Sequence, residues 1–208
     1  MSSPIPDPEA LHAWLHSRVS VRKFKPEPVP RPLLDRILET ATWVPNAHNR
    51  QPWRFVALES AEARQRLVDA MAPEYLAALQ RAGLSGDEID VKTGKRAKRV
   101  LGAAVAVLLC YAADEMESYP DDPQRQRGED LMGMQSVTLA GGQLLLAAHS
   151  QGLGGVWIGA PLFAQEAIRK EFELPESWQP QGLLLLGYPA ETPEPRPRRP
   201  LQEVTRFF

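Results

Sequence analysis

The 208-residue chain carries 24 Lys and Arg against 26 Asp and Glu, a formal charge of -2, with a single cysteine. That balance excludes the basic footprint of a nucleic-acid or anionic-membrane partner, and one cysteine excludes an internal disulfide. With 43% hydrophobic and 24% charged residues, the composition predicts one globular domain over residues 1–208, too short for two sizeable cores. A soluble, cytoplasmic protein is expected. The Met1–Asp7 start lacks the basic-then-apolar pattern of a leader, and apolar runs such as Ala103–Tyr111 are too short to cross a bilayer.

Taken in chain order, the elements give mixed α and β. Asp7 and Pro8 form an N-cap and first-position pair for a helix whose apolar face is Leu11, Trp14 and Leu15. Pro26–Pro30 separates it from a second helix, where Leu33, Leu34, Ile37, Leu38 and Ala41 form a core-facing stripe. Trp53–Leu58 reads as a strand, Ser60 caps the next helix, and Glu74–Arg81 and Glu88–Arg99 read as further helices. Ala104–Tyr111 predicts a buried strand. The polar stretch Tyr111–Arg127 predicts an exposed excursion, followed by a long helix over Glu129–Ser150.

Gly133, Ala140, Gly141, Gly142, Ala147 and Ala148 make that long helix unusually lean. A helical glycine costs about 1 kcal/mol relative to alanine. Close approach of another backbone, including a symmetry mate, is therefore expected there. Gly154–Ile158 predicts a short strand or turn, Phe163–Phe172 a helix, and Leu183–Tyr188 an apolar strand. The chain has twenty prolines, nearly twice the ordinary share of about 5%. They concentrate again between Pro189 and Pro200, after which Leu201, Val204, Phe207 and Phe208 predict a docked C-terminal arm over 190–208.

Two motifs carry the chemistry. Arg18-Val19-Ser20-Val21-Arg22 offers guanidinium and hydroxyl donors suited to a phosphate and a sugar-like chain. Asn46-Ala47-His48-Asn49-Arg50-Gln51-Pro52-Trp53 supplies amides able to read the polar edge of a flat heterocycle. Together they point to flavin mononucleotide and a redox enzyme. His48 reads as a satisfied loop histidine, His149 as a helix C-terminal cation and Cys110 as an inert core thiol. Trp157 reads as a packing residue and Lys92–Arg99 as a solvated face. No metal-ligand spacing stands out, so no metal is expected.

These two motifs, with Gly152-Leu153-Gly154-Gly155-Val156-Trp157-Ile158-Gly159 and Gly187-Tyr188-Pro189-Ala190 plus its arginine tail, resemble the FMN-dependent nitroreductase family over essentially the whole chain. The resemblance implies an α+β nitroreductase-like fold, a central mixed sheet flanked by helices in an intertwined homodimer, with FMN at the interface. Position by position, it implies that Arg18 and Ser20 meet phosphate and ribityl oxygens and that Arg22 is the cation beside the flavin N1/O2 edge. It further implies that Asn49 reads the ring, Gln51 lies near the ribityl chain, and Gly154 and Gly155 let the backbone approach the ring. Arg196 and Arg198 are implied as a second phosphate pair, and Val19 and Leu153 complete the cofactor set.

The implied reaction passes hydride from NADH or NADPH through the flavin to a nitroaromatic, quinone or enone-like small molecule, with no protein nucleophile. Trp157–Phe163 and Glu173–Pro180 are similar to the nitroreductase-like C-terminal half of the ligase that adds glutamates to the deazaflavin cofactor. Two alternatives stay open: a flavin-destroying or dehalogenating enzyme, and a non-catalytic flavin- or deazaflavin-binding protein.

Overall fold

A computed structural model describes residues 7–208; the hexapeptide before them, where the leader was sought, lies outside the described residues. Four strands form one sheet in the order β1 (Trp53–Leu58), β2 (Val105–Ala112), β4 (Trp178–Gly187) and β3 (Gly154–Ile158). All named neighbours pair antiparallel, and the parallel component enters as an isolated bridge between Ser20 and Gly155. Every residue of β2 is buried, because β2 has strands on both edges and helices on both faces. Such a strand reads as a continuous apolar run.

One face of the sheet is covered by α2 (Arg31–Ala41) and α5 (Pro123–Ser150), around a core that includes Ile37, Leu109, Tyr111, Leu144 and Leu184. The other face carries α3 (Ala61–Arg81), α4 (Gly86–Leu101) and α6 (Gln165–Glu171), with Leu67, Met71, Leu108, Ile168 and Leu183 between them. The adjacent residues Leu108 and Leu109 go to opposite cores, as the period of two requires. Cys110 lies in the second core, where burial pushes its thiol up to about 12. An inert core thiol is the outcome.

Local chemistry sets most boundaries. Asp7 accepts from Ala10 N at 2.9 Å at the start of α1 (Pro8–Ser17), and Ser60 accepts from Ala63 N at 3.0 Å. Ser85 and Glu88 form a reciprocal capping box on α4. The apolar face of α1 is less settled: it has no buried residue, and Leu11 and Leu15 stay exposed.

Several boundaries differ from expectation. The excursion is shorter than Tyr111–Arg127, since Tyr111 is fully buried and α5 starts at Pro123 under an Asp122 cap. Its polar sequence belongs to the exposed first turns of a helix. The helix begun at Ser60 runs through Pro73 to Arg81 without a break. Proline removes a single backbone bond there, while the buried Leu67 and Met71 hold the helix to the sheet. Phe163–Phe172 divides into a 3-10 turn at Ala160–Phe163 and α6, because Ala164 takes φ -141 between them. Strand β4 starts five residues early and absorbs Pro180 at a register shift opposite Leu109 and Cys110. A bulge tolerates a proline that the ladder would otherwise reject.

The lean helix α5 packs against its own sheet. A Cβ on Gly141 would lie 2.2 Å from Trp157, and one on Gly133 would lie 2.4 Å from Tyr111. These glycines admit aromatic rings of the same chain, which corrects the symmetry-mate reading for both; Gly142 faces open space. Along the outer side, Leu131, Met132, Leu139 and Gly142 remain exposed. By length and composition the 28-residue α5 alone among the described helices could span a membrane, contrary to the expectation that no stretch would. Here its inner face, including Val137, Ala140 and Leu144, is buried as core.

Candidate functional site

Residues 18–21 run beside the edge strand β3. Ser20 bridges Gly155, and Val21 N donates to Gly155 O at 3.1 Å. The missing side chain at Gly154 leaves room for Val21, 2.7 Å from where a Cβ would stand, and Gly155 does the same for Leu145. On the other side, the last turn of α5 brings Leu145 and His149, followed by a turn through Gly152 at φ 76. The result is a groove of about 230 Å³ lined by Arg18, Val19, Leu153, Gly154 and Gly155, among others. Five of the expected cofactor residues thus share one surface, and Ser20 joins them through its bridge.

Ser17, His149 and Glu191 also line this groove. His149 Nε2 lies 2.9 Å from Ser17 Oγ, and its ring stands 5.1 Å from that of Trp14. Burial, then the charge of Arg18, hold His149 below the ordinary imidazole range. Its place was hidden in sequence, since a last-turn histidine fits the helix dipole without any ligand. Glu191 accepts from Arg22 N at 3.1 Å and pairs with Lys23 Nζ at 3.2 Å. The hydrogen bond from Arg22, with help from Lys23, holds its carboxyl below the usual carboxylate range. Arg22 turns its own Nη1 onto Ser20 O at 3.2 Å. Arg18 has no carboxylate partner among the described residues.

Asn49 and Gln51 lie elsewhere. Ala47 N donates to Ser136 Oγ at 3.1 Å, which pins their loop to the middle of α5. From Ser136 to His149 the helix rises roughly 20 Å at 1.5 Å per residue. The loop takes an uncommon backbone, with His48, Asn49 and Gln51 at φ 51, 54 and 51. Such left-handed non-glycine residues persist only where their surroundings hold them. Asn46 Oδ1 does so by accepting from Gln51 N at 2.8 Å. Ion pairs of Arg50 with Glu117 and of Arg54 with Glu115 fasten the same segment to the short excursion after β2. His48, Asn49 and Arg50 line a separate open pocket with Glu117 and Tyr119.

Arg196 and Arg198 stand on the extended tail, where Arg198 Nη1 donates to Arg196 O at 2.8 Å. The arm beyond them carries one helical turn at Leu201–Val204, with Phe207 88% exposed. Within this chain, therefore, the expected set divides into a groove, a distant loop and an open arm. Among the described residues no group of His, Cys, Asp and Glu could hold a metal.

An antiparallel sheet between two helical layers, with a cation-bearing groove along its edge strand, defines an α+β fold. Residues 15–188 match the Nitroreductase family, and the chain belongs to it. It is 32% identical to an NADH dehydrogenase of Thermus thermophilus, with 98% of each chain covered. The nitroreductase-like family protein of Bacillus cereus shares the fold at a TM-score of 0.73 and 24% identity, over 100% of this chain and 98% of the other. Nitroreductase A of Vibrio parahaemolyticus shares it at 0.70 and 22%, over 94% of this chain and 74% of the other.

Proposed function

We propose that this chain is an FMN-dependent oxidoreductase that takes hydride from NADH or NADPH and delivers it to a nitroaromatic, quinone or enone-like acceptor. The carrying observation is the groove beside β3, where Arg18 has no carboxylate partner among the described residues and shares the lining with His149, whose protonation its charge opposes. A phosphate dianion relieves that repulsion and accepts from both, so the donor set fits the phosphate end of the cofactor. We assign Ser20 and, from the open tail, Arg196 and Arg198 to the same donor set. Arg22 is assigned to the flavin N1/O2 edge, where a fixed guanidinium favours negative charge. Flavin mononucleotide, when bound, supplies the two-electron chemistry, and the chain's own residues bind and orient it.

A groove of about 230 Å³ falls below the roughly 300 Å³ at which complete ligand sites begin. Half a shared site has that size. We assign the other half to Asn49 and Gln51 of a second copy, in a homodimer that covers the exposed stripe of α5 and the open arm. The separation of loop and groove within one protomer supports this arrangement. Trp157–Phe163 and Glu173–Pro180 leave a free-standing relative of the deazaflavin-ligase domain as the finer reading, and reduced deazaflavin belongs among the compounds assayed.

The test is direct. The purified protein should be yellow, release FMN and not FAD on denaturation, and oxidise NADH or NADPH in the presence of a quinone or nitroaromatic. A colourless protein that takes up no added FMN sinks the proposal.

A further inference from the structure

On the sheet face opposite the cofactor groove, α3, α4 and the Ala160–Phe163 turn enclose a second cavity, of about 570 Å³. Arg81, Lys92, Lys95, Arg96 and Arg99 line it, against a single carboxylate, Glu74. Its floor and mouth are apolar or aromatic, from Met71, Tyr75, Ile158 and Phe163. The volume lies inside the roughly 300–1,000 Å³ range of small-molecule sites. We infer that this cavity binds a small organic dianion with a ring-sized apolar body.

Three observations separate the cavity from an ordinary solvated face. First, four of the cations sit on α4 at the spacing i, i+3, i+4 and i+7. Lys92 and Arg96, and Lys95 and Arg99, are therefore like-charge neighbours, each pair unfavourable by about 0.2–0.5 kcal/mol in an isolated helix. Second, none of the five cavity cations reaches a carboxylate among the described residues, although Glu74 shares the lining. Third, Arg96 is partly withdrawn from water. Its guanidinium lies 4.2 Å from the Tyr75 ring centre, and Nη2 lies 3.3 Å from Met71 Sδ. Burial lowers its pKa accordingly. A half-buried cation held on an aromatic face, with no counterion among the described residues, is prepared for an anion from outside the chain.

The apolar side fixes the rest of the ligand. Phe163 is 78% exposed at the mouth, between the exposed Leu162 and the buried Ala164. A ring-sized body between Phe163 and Tyr75 covers that surface, while two negative charges meet the α4 cations. A phosphate ester and a dicarboxylate both present this chemistry. The inference does not rest on the cofactor assignment, because Ile158 and Ala164 face the α3 side of the sheet whereas Leu145 and His149 belong to α5.

The purified full-length protein, with the flavin it carries measured by absorbance, is titrated calorimetrically with four probes: adenosine 5′-monophosphate, naphthalene-2,6-dicarboxylate, adenosine, and naphthalene-2,6-dimethanol. Saturable binding of at least one dianion is expected, at least about tenfold tighter than its neutral counterpart, a difference of about 1.4 kcal/mol. The dianion that binds identifies the phosphate or carboxylate source. Lys95→Gln/Arg96→Gln and, separately, Arg99→Glu should weaken that binding at least tenfold, with unchanged far-ultraviolet dichroism. Arg198→Ala should leave it intact. Phe163→Ala should weaken it without altering its salt dependence. The inference is overturned if neither dianion saturates at millimolar concentration, if the neutral probes bind equally, or if the cavity variants bind as wild type does.

Discussion

On one face of the sheet α5 comes so close that Gly141 has no space for a Cβ, 2.2 Å from Trp157. On the other face α3, α4 and the Ala160–Phe163 turn stand back far enough to enclose about 570 Å³. The close face builds its groove at the end of α5 from backbone contacts to the edge strand. The open face carries its cations on an exposed helix, where side chains can rearrange. The difference shows two ways of presenting positive charge: a few donors fixed by backbone contacts, and many donors gathered on flexible stems.

Gly141→Leu tests the close face most severely. It should destabilise the fold by about 3 kcal/mol, the upper end of ordinary overpacking. For a chain of this length that means a fall in thermal midpoint of roughly 6–12 °C, measurable by calorimetry. A normal midpoint would show that α5 can shift outward and that the contact is soft.

Arg18→Ala comes next. Loss of a charged hydrogen bond to phosphate, about 1.5–3 kcal/mol, should weaken FMN retention roughly 10- to 100-fold in equilibrium dialysis. Arg22→Ala should instead slow flavin reduction more than it weakens retention, as stopped-flow absorbance can report.

On the open face, Ser85→Ala removes the capping box of α4 and should cost about 1 kcal/mol in denaturant titration. A larger loss would mean that α4 holds more of the core than its one buried residue, Val100, implies.

His149 gives a smaller, pH-dependent effect. Its native pKa is depressed by burial and by Arg18, so as pH falls through about 6.5 the unfolded chain takes up the proton first. Its contribution is complete above that pH and is lost as pH falls through the depressed native value. Without cofactor, His149→Gln should therefore lose less stability than wild type between neutral and mildly acidic pH. Smallest of all, Lys92→Gln, at an exposed cavity cation, should change stability by no more than about 0.5 kcal/mol, the usual range for a surface change. Its loss falls on the ligand.

Local chemistry made much of the fold legible. Asp7-Pro8, Ser60 and the β2 apolar run each contain their own reason for being where they are. Asp122-Pro123 has the same N-terminal signature as Asp7-Pro8, yet the polarity around it suggested a loop; the cap outweighs polarity. The partner of a glycine is harder to read, because Gly133 and Gly141 need rings 22 residues upstream and 16 downstream respectively, known only once the sheet is built. The site divides along the same line. Ser20 and Gly155 meet through a short bridge to an edge strand, which brings Arg18 to the same groove two residues away. The roughly 20 Å between that groove and the Asn49 loop is set by the length of α5, which no motif encodes.

The loop at 46–51 has a further use. Its residues at φ 51, 54 and 51 adopt a backbone that glycine accepts freely and β-branched residues resist. Asn49→Gly therefore removes an amide while preserving the path of the chain, and Asn49→Val disturbs both. The pair forms an internal control that separates what the side chain recognises from what the backbone must be.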